Sequence, residues 1–229
     1  MKKRIAIIVT ILLILTIAIL VIIIPSLLQR EKLKQEAKAL DAVLSEKEVN
    51  QEELDEILNR RVTKSGYVVV EDAYKRYSKD LYDIYKQVLA KISDEKIKQI
   101  LTLETYKTDG PEFATSIAYI EQIKEEAKNL TNQYYEIVSD EKVLSYLPEN
   151  FDDNYVNYYL GFTKNYVGDI NQLSKVQSSM DSIVGLWDKQ IDILNFLKTN
   201  KKQWMVTDKG LSFATEELTN AFNEKIKNL

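Results

Sequence analysis

The hydrophobic pattern of the chain begins with an unbroken apolar segment, Ile5–Ile24, in which only Thr10 and Thr16 are polar. Twenty helical residues rise about 30 Å, the thickness of the hydrocarbon core of a bilayer. In lipid, a single segment can satisfy its backbone polar groups only as a helix. The pattern therefore predicts a transmembrane signal-anchor helix over 5–28, with the lipid bilayer as its partner through Ile5–Ile24.

The residues that flank this segment set its predicted orientation. Lys2, Lys3 and Arg4 precede it without an acid, whereas the charges that follow at 30–32 are mixed. The positive-inside rule therefore predicts a cytoplasmic stub at 1–4 and an extracytoplasmic location for everything after the helix.

Two other interpretations of the segment are less favoured. A cleaved signal peptide has an apolar region of roughly 7–15 residues and a small-x-small cleavage site, and Ile24–Leu27 offers no such site. A helix buried inside a soluble protein is the other option, but twenty residues that are apolar on all sides, at the extreme N-terminus, do not favour it. We therefore expect a retained single-pass anchor in the cell membrane.

After the anchor, apolar side chains recur every three or four residues, which is typical of helices. Leu33, Ala37, Leu40 and Leu44 recur at heptad spacing and predict a helix over 29–44. With a short helix over 50–59, this segment forms a predicted stalk, 29–60. In a predicted extracytoplasmic domain, 61–229, the main helices are expected over 67–92, 94–106, 111–138, 139–147 and 155–197.

Local signals place the ends of these helices. Asn50 with Glu53, and the pair Ser93-Asp94, are typical of helix N-termini. Pro111 follows a turn at 108–110 and suits the first position of a helix. The sequence Tyr-Val-Val-Val at 67–70 leaves a short strand open as an alternative to a helical start.

The longest periodic segment is 155–197. Every seventh position holds an aromatic or apolar side chain: Tyr159, Tyr166, Leu173, Met180, Trp187 and Leu194. Gly161 and Gly168 lie within it, and each costs about 1 kcal/mol relative to alanine, so the helix can instead begin after either glycine.

The last part of the chain changes its period. Residues 204–206 and 211–213 flank an Asp/Gly turn and predict a β-hairpin over 204–213, before a final helix over 215–227. An isolated hairpin is marginal, so Trp204 and Phe213 are expected to pack it on the helices. The predicted fold class is mostly α: a transmembrane helix, then an irregular bundle of about five helices with a small C-terminal β-hairpin.

Composition excludes several kinds of site. The chain has no cysteine and no histidine, which excludes disulfides, thiol or Ser–His catalysis and the commonest zinc ligand. The formal net charge is −4 and residues 1–28 carry three positive charges, so the remainder carries −7. An acidic domain of this kind is not expected to bind nucleic acid.

Adjacent acids occur four times, at Glu52-Glu53, Glu125-Glu126, Asp152-Asp153 and Glu216-Glu217. Neighbouring residues on a helix do not face one another, so such pairs specify no site. The sequence contains no calcium loop, no Gly-rich phosphate loop and no nucleophile elbow. We therefore predict no catalytic residue, no cofactor and no metal site.

The tyrosines divide into two groups. Six lie on predicted core stripes: Tyr67, Tyr74, Tyr77, Tyr134, Tyr159 and Tyr166. Five lie off these stripes: Tyr82, Tyr85, Tyr119, Tyr135 and Tyr158. Exposed tyrosines bind glycans, peptides and partner helices, so these five are the candidate binding surface. Packing against further helices would explain their pattern more simply.

The run Tyr106–Phe113, YKTDGPEF, resembles a sequence in uncharacterised single-pass membrane proteins of Gram-positive bacteria. A looser resemblance covers Val62–Tyr158 and the hairpin that begins at Trp204. The resemblance implies an envelope location and a mostly helical domain. Because that family has no established activity, it assigns no functional residue to this chain.

The function expected from these features is not enzymatic. The anchor and the missing catalytic motifs favour a membrane-anchored extracytoplasmic protein that binds a protein or cell-wall partner, or serves as a structural element of the bacterial envelope. Two alternatives stay open. One is a cell-wall hydrolase that uses two carboxylates, and the other is a ligand-sensing subunit that signals through another membrane protein.

Overall fold

The computed structural model describes residues 17, 20, 23–46, 48–167 and 170–229, and at 166, 167 and 170–176 it describes the backbone alone. This part of the chain is mostly helical, with one small antiparallel hairpin near the C-terminus, as predicted. The helices are α1 (Ile24–Leu44), α2 (Gln51–Asn59), α3 (Gly66–Ile92), α4 (Glu95–Gln99), α5 (Leu103–Thr108), α6 (Ala114–Ile137), α7 (Asp140–Leu144), α8 (Asp153–Val167), α9 (Ile170–Thr199) and α10 (Glu216–Lys227).

Most of the predicted anchor lies outside the described residues. Of Ile5–Ile24, only Ile17, Leu20, Ile23 and Ile24 are described, and the stub at 1–4 is not. None of the helices formed by the described residues is sufficiently long and apolar to span a bilayer. The transmembrane helix therefore stays a prediction.

Contacts between Cα atoms divide the chain into two compact units. The first unit comprises Met1–Tyr82 and Ser139–Val167, and the second comprises Asp83–Val138 and Gly168–Leu229.

Helix α1 contributes the heptad seam predicted for the stalk to the core of the first unit. Leu33 and Leu40 are fully buried, and Ala37 is nearly so. The seam ends on Val43, which is buried, rather than on Leu44, which is half-buried. The last spacing in the seam, from Leu40 to Val43, is thus three residues instead of four. A spacing of either three or four residues keeps two side chains on the same face of a helix.

Helix α2 packs on α1. The Asn50 side chain accepts hydrogen bonds from the backbone N–H groups of Glu52 and Glu53, which confirms the predicted N-cap. Leu54 and Ile57 are buried on the face that α2 turns towards the core.

Helices α3 and α8 run in the same direction within the first unit. Near their starts, the rings of Tyr67 and Tyr155 are 5.0 Å apart, and about two turns later those of Tyr74 and Phe162 are also 5.0 Å apart. Tyr67 lies in the first turn of α3, so the alternative of a strand at 67–70 is wrong.

The second unit is built around α6 and α9. Its core consists of Ile97, Ile100, Tyr106, Phe113, Ile120, Ile123, Ala127, Met180, Trp187, Leu194 and Leu197. The predicted seven-residue repeat is thus buried at Met180, Trp187 and Leu194 in this unit. The side chains of Tyr166 and Leu173, which continue the repeat, lie outside the description.

Two predicted helices differ from those observed. The segment 94–106 forms α4 and α5 rather than one helix, because the Thr102 hydroxyl accepts a hydrogen bond from the Thr105 N–H and starts a new helix there. The segment 155–197 is covered by α8 and α9, with 168 and 169 outside the described residues. Gly161 lies inside α8, so a helix start after Gly161 is wrong.

The prediction that Pro111 opens a helix is also wrong, because α6 begins three residues later, at Ala114. The Asp109 carboxylate accepts hydrogen bonds from the N–H groups of Thr115 and Ser116, at 3.2 and 2.7 Å. A capping side chain therefore reaches α6 from five residues before its start, and this leaves 110–113 as a turn. Phe113 adopts a left-handed conformation with φ 51° at the end of this turn.

The hairpin forms as predicted. Strand β1 (Trp204–Thr207) pairs with β2 (Gly210–Phe213), with Trp204 opposite Phe213. The Trp204 ring stacks on Phe113 at 5.9 Å, and Phe213 packs on Phe222 of α10 at 5.1 Å. These contacts hold the hairpin on the second unit, as the sequence predicts.

Candidate functional site

The five tyrosines of the candidate binding surface occur in both units, and we describe each within its own unit. In the second unit, Tyr119 on α6 donates a hydrogen bond from its hydroxyl to the Asp94 carboxylate at 2.7 Å. The Lys96 ammonium lies 3.8 Å from the centre of the Tyr119 ring. Desolvation and the bond to Asp94 raise the pKa of Tyr119 to about 12. Tyr119 thus ties α6 to the start of α4.

Tyr135 lies near the other end of α6. Its hydroxyl donates a 2.6 Å hydrogen bond to the Gln177 side chain of α9. Sixteen residues separate Tyr119 from Tyr135, which is about 24 Å along a helix, so these two side chains do not share a patch. Tyr85, on α3, is 55 % exposed.

In the first unit, Tyr158 lies at the start of α8. Its ring is 5.5 Å from that of Tyr67, and the Arg30 guanidinium lies 4.7 Å from its centre. Tyr82 is half-buried on α3, fifteen residues or about 22 Å beyond Tyr67. Three of the five tyrosines thus hold helices together, and a binding role for the set stays a prediction.

The most strongly organised polar site of the first unit is an ion network in which Glu36, Glu71 and Lys75 are buried and Arg60 is partly exposed. The Lys75 ammonium is 2.7 Å from each of the Glu36 and Glu71 carboxylates. It donates hydrogen bonds to Glu71 at 2.7 Å and to the Arg60 carbonyl oxygen at 2.9 Å. Two carboxylates face two cations, and the network is neutral as a whole.

Hydrogen bonds also enclose Glu71, which is fully buried. Its carboxylate accepts from the N–H groups of Val62 and Thr63 and from the Thr63 hydroxyl, between 2.6 and 3.2 Å. Burial would raise the pKa of Glu71, but the bonds from Lys75, Thr63 and Val62 outweigh it and hold this pKa below its usual range. The network fastens 60–63 to α1 and α3, and we assign it to the fold.

This network is not among the features predicted from the sequence. The available signal was an acid and a base four residues apart, Glu71 and Lys75, on the helix that carries the buried stripe Tyr67, Val70 and Tyr74. Charges next to a buried stripe are found in pairs or networks when they are themselves buried. Their partners on α1 and in the 60–63 segment could not be found from spacing alone.

A groove of the second unit lies between α6 and α9, with a volume of about 520 Å³. Its lining combines charged, amide and apolar side chains: Glu121, Lys124, Glu125, Lys128, Thr131, Asn132, Gln177, Met180, Asp181 and Val184. We call it the α6–α9 groove. Its lining places charges of both signs beside the apolar side chains of Met180 and Val184, so it suits a polar extended chain better than a flat apolar ligand.

The walls of the α6–α9 groove are partly fixed by their own contacts. Gln177 donates a 2.6 Å hydrogen bond to Asp181, and Lys124 contacts Asp188 at 2.6 Å. The bond to Asp188 is the main reason why the pKa of Lys124 is raised. Glu125 and Lys128 are exposed and have no ion-pair partner within the described part of the chain. They are the groups of the groove most available to a ligand.

Two members of the acidic pairs make local structural contacts. Glu126 pairs with Lys91 at 2.5 Å, and Asp152 accepts a hydrogen bond from the Asn154 N–H at the start of α8. Within the described ranges, no group of three acidic side chains is placed to hold a metal ion.

The run Tyr106–Phe113 forms the corner between α5 and α6. The rings of Tyr106 and Phe113 are in edge contact at 6.0 Å, and both are buried. A Cβ atom on Gly110 would lie 2.3 Å from the Tyr106 carbonyl oxygen, so the corner requires glycine at this position. The corner fixes the start of α6, the helix that forms one wall of the α6–α9 groove.

Comparison with known proteins found no match for this sequence among family models, curated proteins or solved structures.

Proposed function

We propose that the chain is a single-pass membrane protein whose extracytoplasmic helical part binds a partner, or serves as a structural element, in the bacterial envelope. The observation that carries this proposal is the position of α1. It begins at Ile24, where the apolar segment Ile5–Ile24 ends, and it buries Leu33 and Leu40 in the first unit. A membrane helix that continues into α1 would hold the first unit directly at the bilayer.

The orientation rests on Lys2, Lys3 and Arg4 and on the positive-inside rule. The resemblance at Tyr106–Phe113 to single-pass proteins of Gram-positive bacteria supports the same location. The chain has no cysteine, so single cysteines can be introduced without removing a native one.

The topology can be tested with a membrane-impermeant maleimide on intact cells. Met205→Cys changes a side chain that is 63 % exposed in the second unit, and Lys2→Cys reports on the predicted cytoplasmic stub. We expect labelling of the first variant in intact cells and of the second only after permeabilisation. The reverse pattern would contradict the orientation. Labelling of neither variant in intact cells would contradict an extracytoplasmic location.

For the binding role, the α6–α9 groove is the surface that we propose. A photo-reactive amino acid in place of Lys128 tests it in living cells, with the same replacement at Lys86, exposed on α3 of the second unit, as the control. We expect one discrete adduct with an envelope component from position 128 and none from position 86. The adduct should weaken in an Asp181→Lys background. Equal adducts from both positions would contradict binding in this groove.

A carboxylate hydrolase is the second candidate, because acids line both walls of the same groove, Glu121 and Glu125 from α6 and Asp181 from α9. Glycoside hydrolysis needs two carboxyl groups that flank the bond. The test is turnover of purified cell wall by the full chain. Loss of this turnover in both Glu125→Gln and Asp181→Asn would favour a hydrolase over simple binding, provided that Glu112→Gln retains it.

A further inference from the structure

Three helices of the first unit begin at the same end. Tyr67, in the first turn of α3, is the point at which they meet. Its hydroxyl lies 2.7 Å from the Ser26 hydroxyl of α1 and accepts a 2.9 Å hydrogen bond from Arg30. Its ring is in edge contact with those of Tyr155 and Tyr158 at the start of α8. We call the set Leu27, Leu28, Arg30, Phe151, Tyr155 and Tyr158 the proximal face.

The aromatic rings of this face form a connected layer. Phe151 stacks on Tyr155 at 5.5 Å, and the Arg30 guanidinium covers the Tyr158 ring. A Cβ atom on Gly66 would lie 2.5 Å from the Tyr155 ring, so the glycine allows this ring to lie against the start of α3. The three aromatic side chains keep part of their surface exposed.

The apolar surface of α1 does not stop at Ile24. Ile23 and Ile24 are 48 % and 42 % exposed, and Leu27 and Leu28 are 57 % exposed each. From Ile24 to Leu28, a helix rises about 6 Å, which matches the 5–7 Å or so that the headgroup region adds to each side of the hydrocarbon core. The Arg30 side chain lies back at this level, because it bonds to the same Tyr67 hydroxyl as Ser26. If the core ends near Ile24, the proximal face lies at the level of the headgroups.

We propose that the proximal face rests in the headgroup region of the bilayer that holds Ile5–Ile24; this inference rests on the anchoring proposed above. Tyrosine suits this depth, because its ring is apolar and its hydroxyl is polar. Arginine has further N–H donors for lipid phosphates and places its stem along apolar surface. The first unit thus lies against the membrane instead of being held away from it.

The charges around the proximal face indicate how it is held. Arg30 and Lys64 are balanced by Asp152 and Asp153, which are exposed at the start of α8. Polybasic membrane binding depends on an excess of lysine and arginine, and no such excess exists here. We therefore expect the contact to form on zwitterionic lipid and to be insensitive to salt.

The test uses the full chain in phosphatidylcholine vesicles, with a fluorophore on single cysteines and nitroxide quenchers on the lipid. Asn154→Cys reports on the proximal face, Glu46→Cys on the far end of α1 in the same unit, and Leu12→Cys on the anchor. We expect a headgroup nitroxide to quench position 154 several-fold more than position 46, and an acyl-chain nitroxide to quench position 12.

The outcomes separate the two proposals. Quenching at position 12 with equal, weak quenching at 154 and 46 would overturn the proximal-face inference and leave the anchoring intact. No quenching at position 12 would overturn both. Quenching at position 154 that requires anionic lipid would also overturn the inference, because it would show binding by charge.

Two exposed leucines allow a direct variant. Leu27→Asn with Leu28→Asn changes side chains outside the core, so we expect the fold to persist, as circular dichroism can verify. The headgroup quenching at position 154 should fall several-fold. The matched control is Leu89→Asn, which changes a 44 % exposed leucine on α3 in the second unit and should leave it unchanged. Unchanged quenching in the double variant would overturn the inference.

Discussion

The two units bury polar groups in different ways. The first unit encloses Glu36, Glu71 and Lys75, each at most 5 % exposed, and joins them to Arg60. In the second unit, the buried polar side chains among the described residues are Ser116 and Thr131, and neither is charged. The second core depends on aliphatic and aromatic packing. The first depends in addition on charges that must all be matched.

This difference means that the two cores fail in different ways. Removing one member of a buried ion network leaves its partners charged and unpaired, which costs more than the network contributes as a whole. Removing an apolar group leaves a cavity, and its cost grows with the volume lost. Substitutions in each unit can therefore test the contrast.

The largest effect is expected for Lys75→Met in the first unit. Glu36 and Glu71 would stay buried without the ammonium that lies 2.7 Å from both. We expect the free energy of unfolding to fall by about 3–5 kcal/mol. Urea titration of the full chain in detergent micelles, followed by far-ultraviolet circular dichroism, measures this loss.

The control for this variant is Lys91→Met in the second unit. Lys91 pairs with Glu126, but both side chains are 34 % exposed. A pair as exposed as this one contributes far less to stability than a buried pair, so we expect a much smaller loss. Equal losses in the two variants would contradict the contrast between the units. Adding Glu71→Gln to Lys75→Met should recover part of the stability.

The pH dependence of stability is the next largest effect. The pKa of Glu71 is lower in the folded state than in the unfolded state. The ionised Glu71 therefore stabilises the fold above its unfolded pKa of about 4.3, and this stabilisation is lost as the pH falls through the folded-state pKa. Burial raises the pKa of Asp41, so its effect on stability has the opposite sign. Asp41 stabilises the fold below its unfolded pKa, and this stabilisation is lost as the pH rises through the folded-state pKa.

The difference between the wild type and Glu71→Gln isolates Glu71 from Asp41. We expect the gap in unfolding free energy between the two proteins to close as the solution is acidified below about pH 4. With no histidine, stability should be nearly flat between about pH 6 and 8. If the curves of unfolding free energy against pH for the two proteins stayed parallel in acid, the charge of Glu71 would contribute nothing to stability.

A smaller effect is expected at the corner of the second unit. In Gly110→Ala the new Cβ atom would clash with the Tyr106 backbone, so we expect a loss of about 1–3 kcal/mol. Trp204 stacks on Phe113 beside it, and its fluorescence gives the measurement. Gly185→Ala is the matched control, because a Cβ atom there meets nothing within 4 Å and alanine should stabilise α9 by about 1 kcal/mol. The same sign in both variants would contradict this account.

The smallest effect is expected for Tyr119→Phe. It removes the 2.7 Å hydrogen bond to Asp94 and keeps the ring under Lys96. We expect a loss of about 0.5–1.5 kcal/mol. In the wild type, this bond is the main reason for the lowered pKa of Asp94, so the variant should also raise that pKa, as NMR titration can show. An unchanged pKa of Asp94 would mean that the bond does not form in solution.

The sequence predicted those parts of the fold that depend on local periodicity and capping. The seam of α1 as far as Leu40, the Asn50 cap, the buried positions Met180, Trp187 and Leu194, and the hairpin at 204–213 were all confirmed. Each follows from residues within a few turns of one another, for which helix and strand geometry fix the neighbours.

Several of the errors and omissions come from contacts between residues that are distant in sequence or reached around a turn. Asp109 caps α6 from a position before its first residue, so the prediction that this helix begins at Pro111 was wrong. Lys75 forms an ion pair with Glu36, which lies thirty-nine positions earlier in the sequence. The α6–α9 groove needs the packing of two helices, and no spacing rule places Asp181 opposite Glu125. The off-stripe tyrosines illustrate the same limit, because Tyr119 and Tyr135 bond to residues on other elements.

Helix α1 also has a mechanical consequence. It is one rod from Ile24 to Leu44, held near its middle at Glu36 by Lys75 and Arg60. Glu36 lies about 18 Å along this helix from Ile24. Because the helix is continuous between them, a force applied along its axis at Ile24 would be transmitted to Glu36. Attraction between opposite charges falls off more slowly with distance than contact between packed methyl groups. The ion network is therefore the part of the first unit best suited to carry tension applied at Ile24.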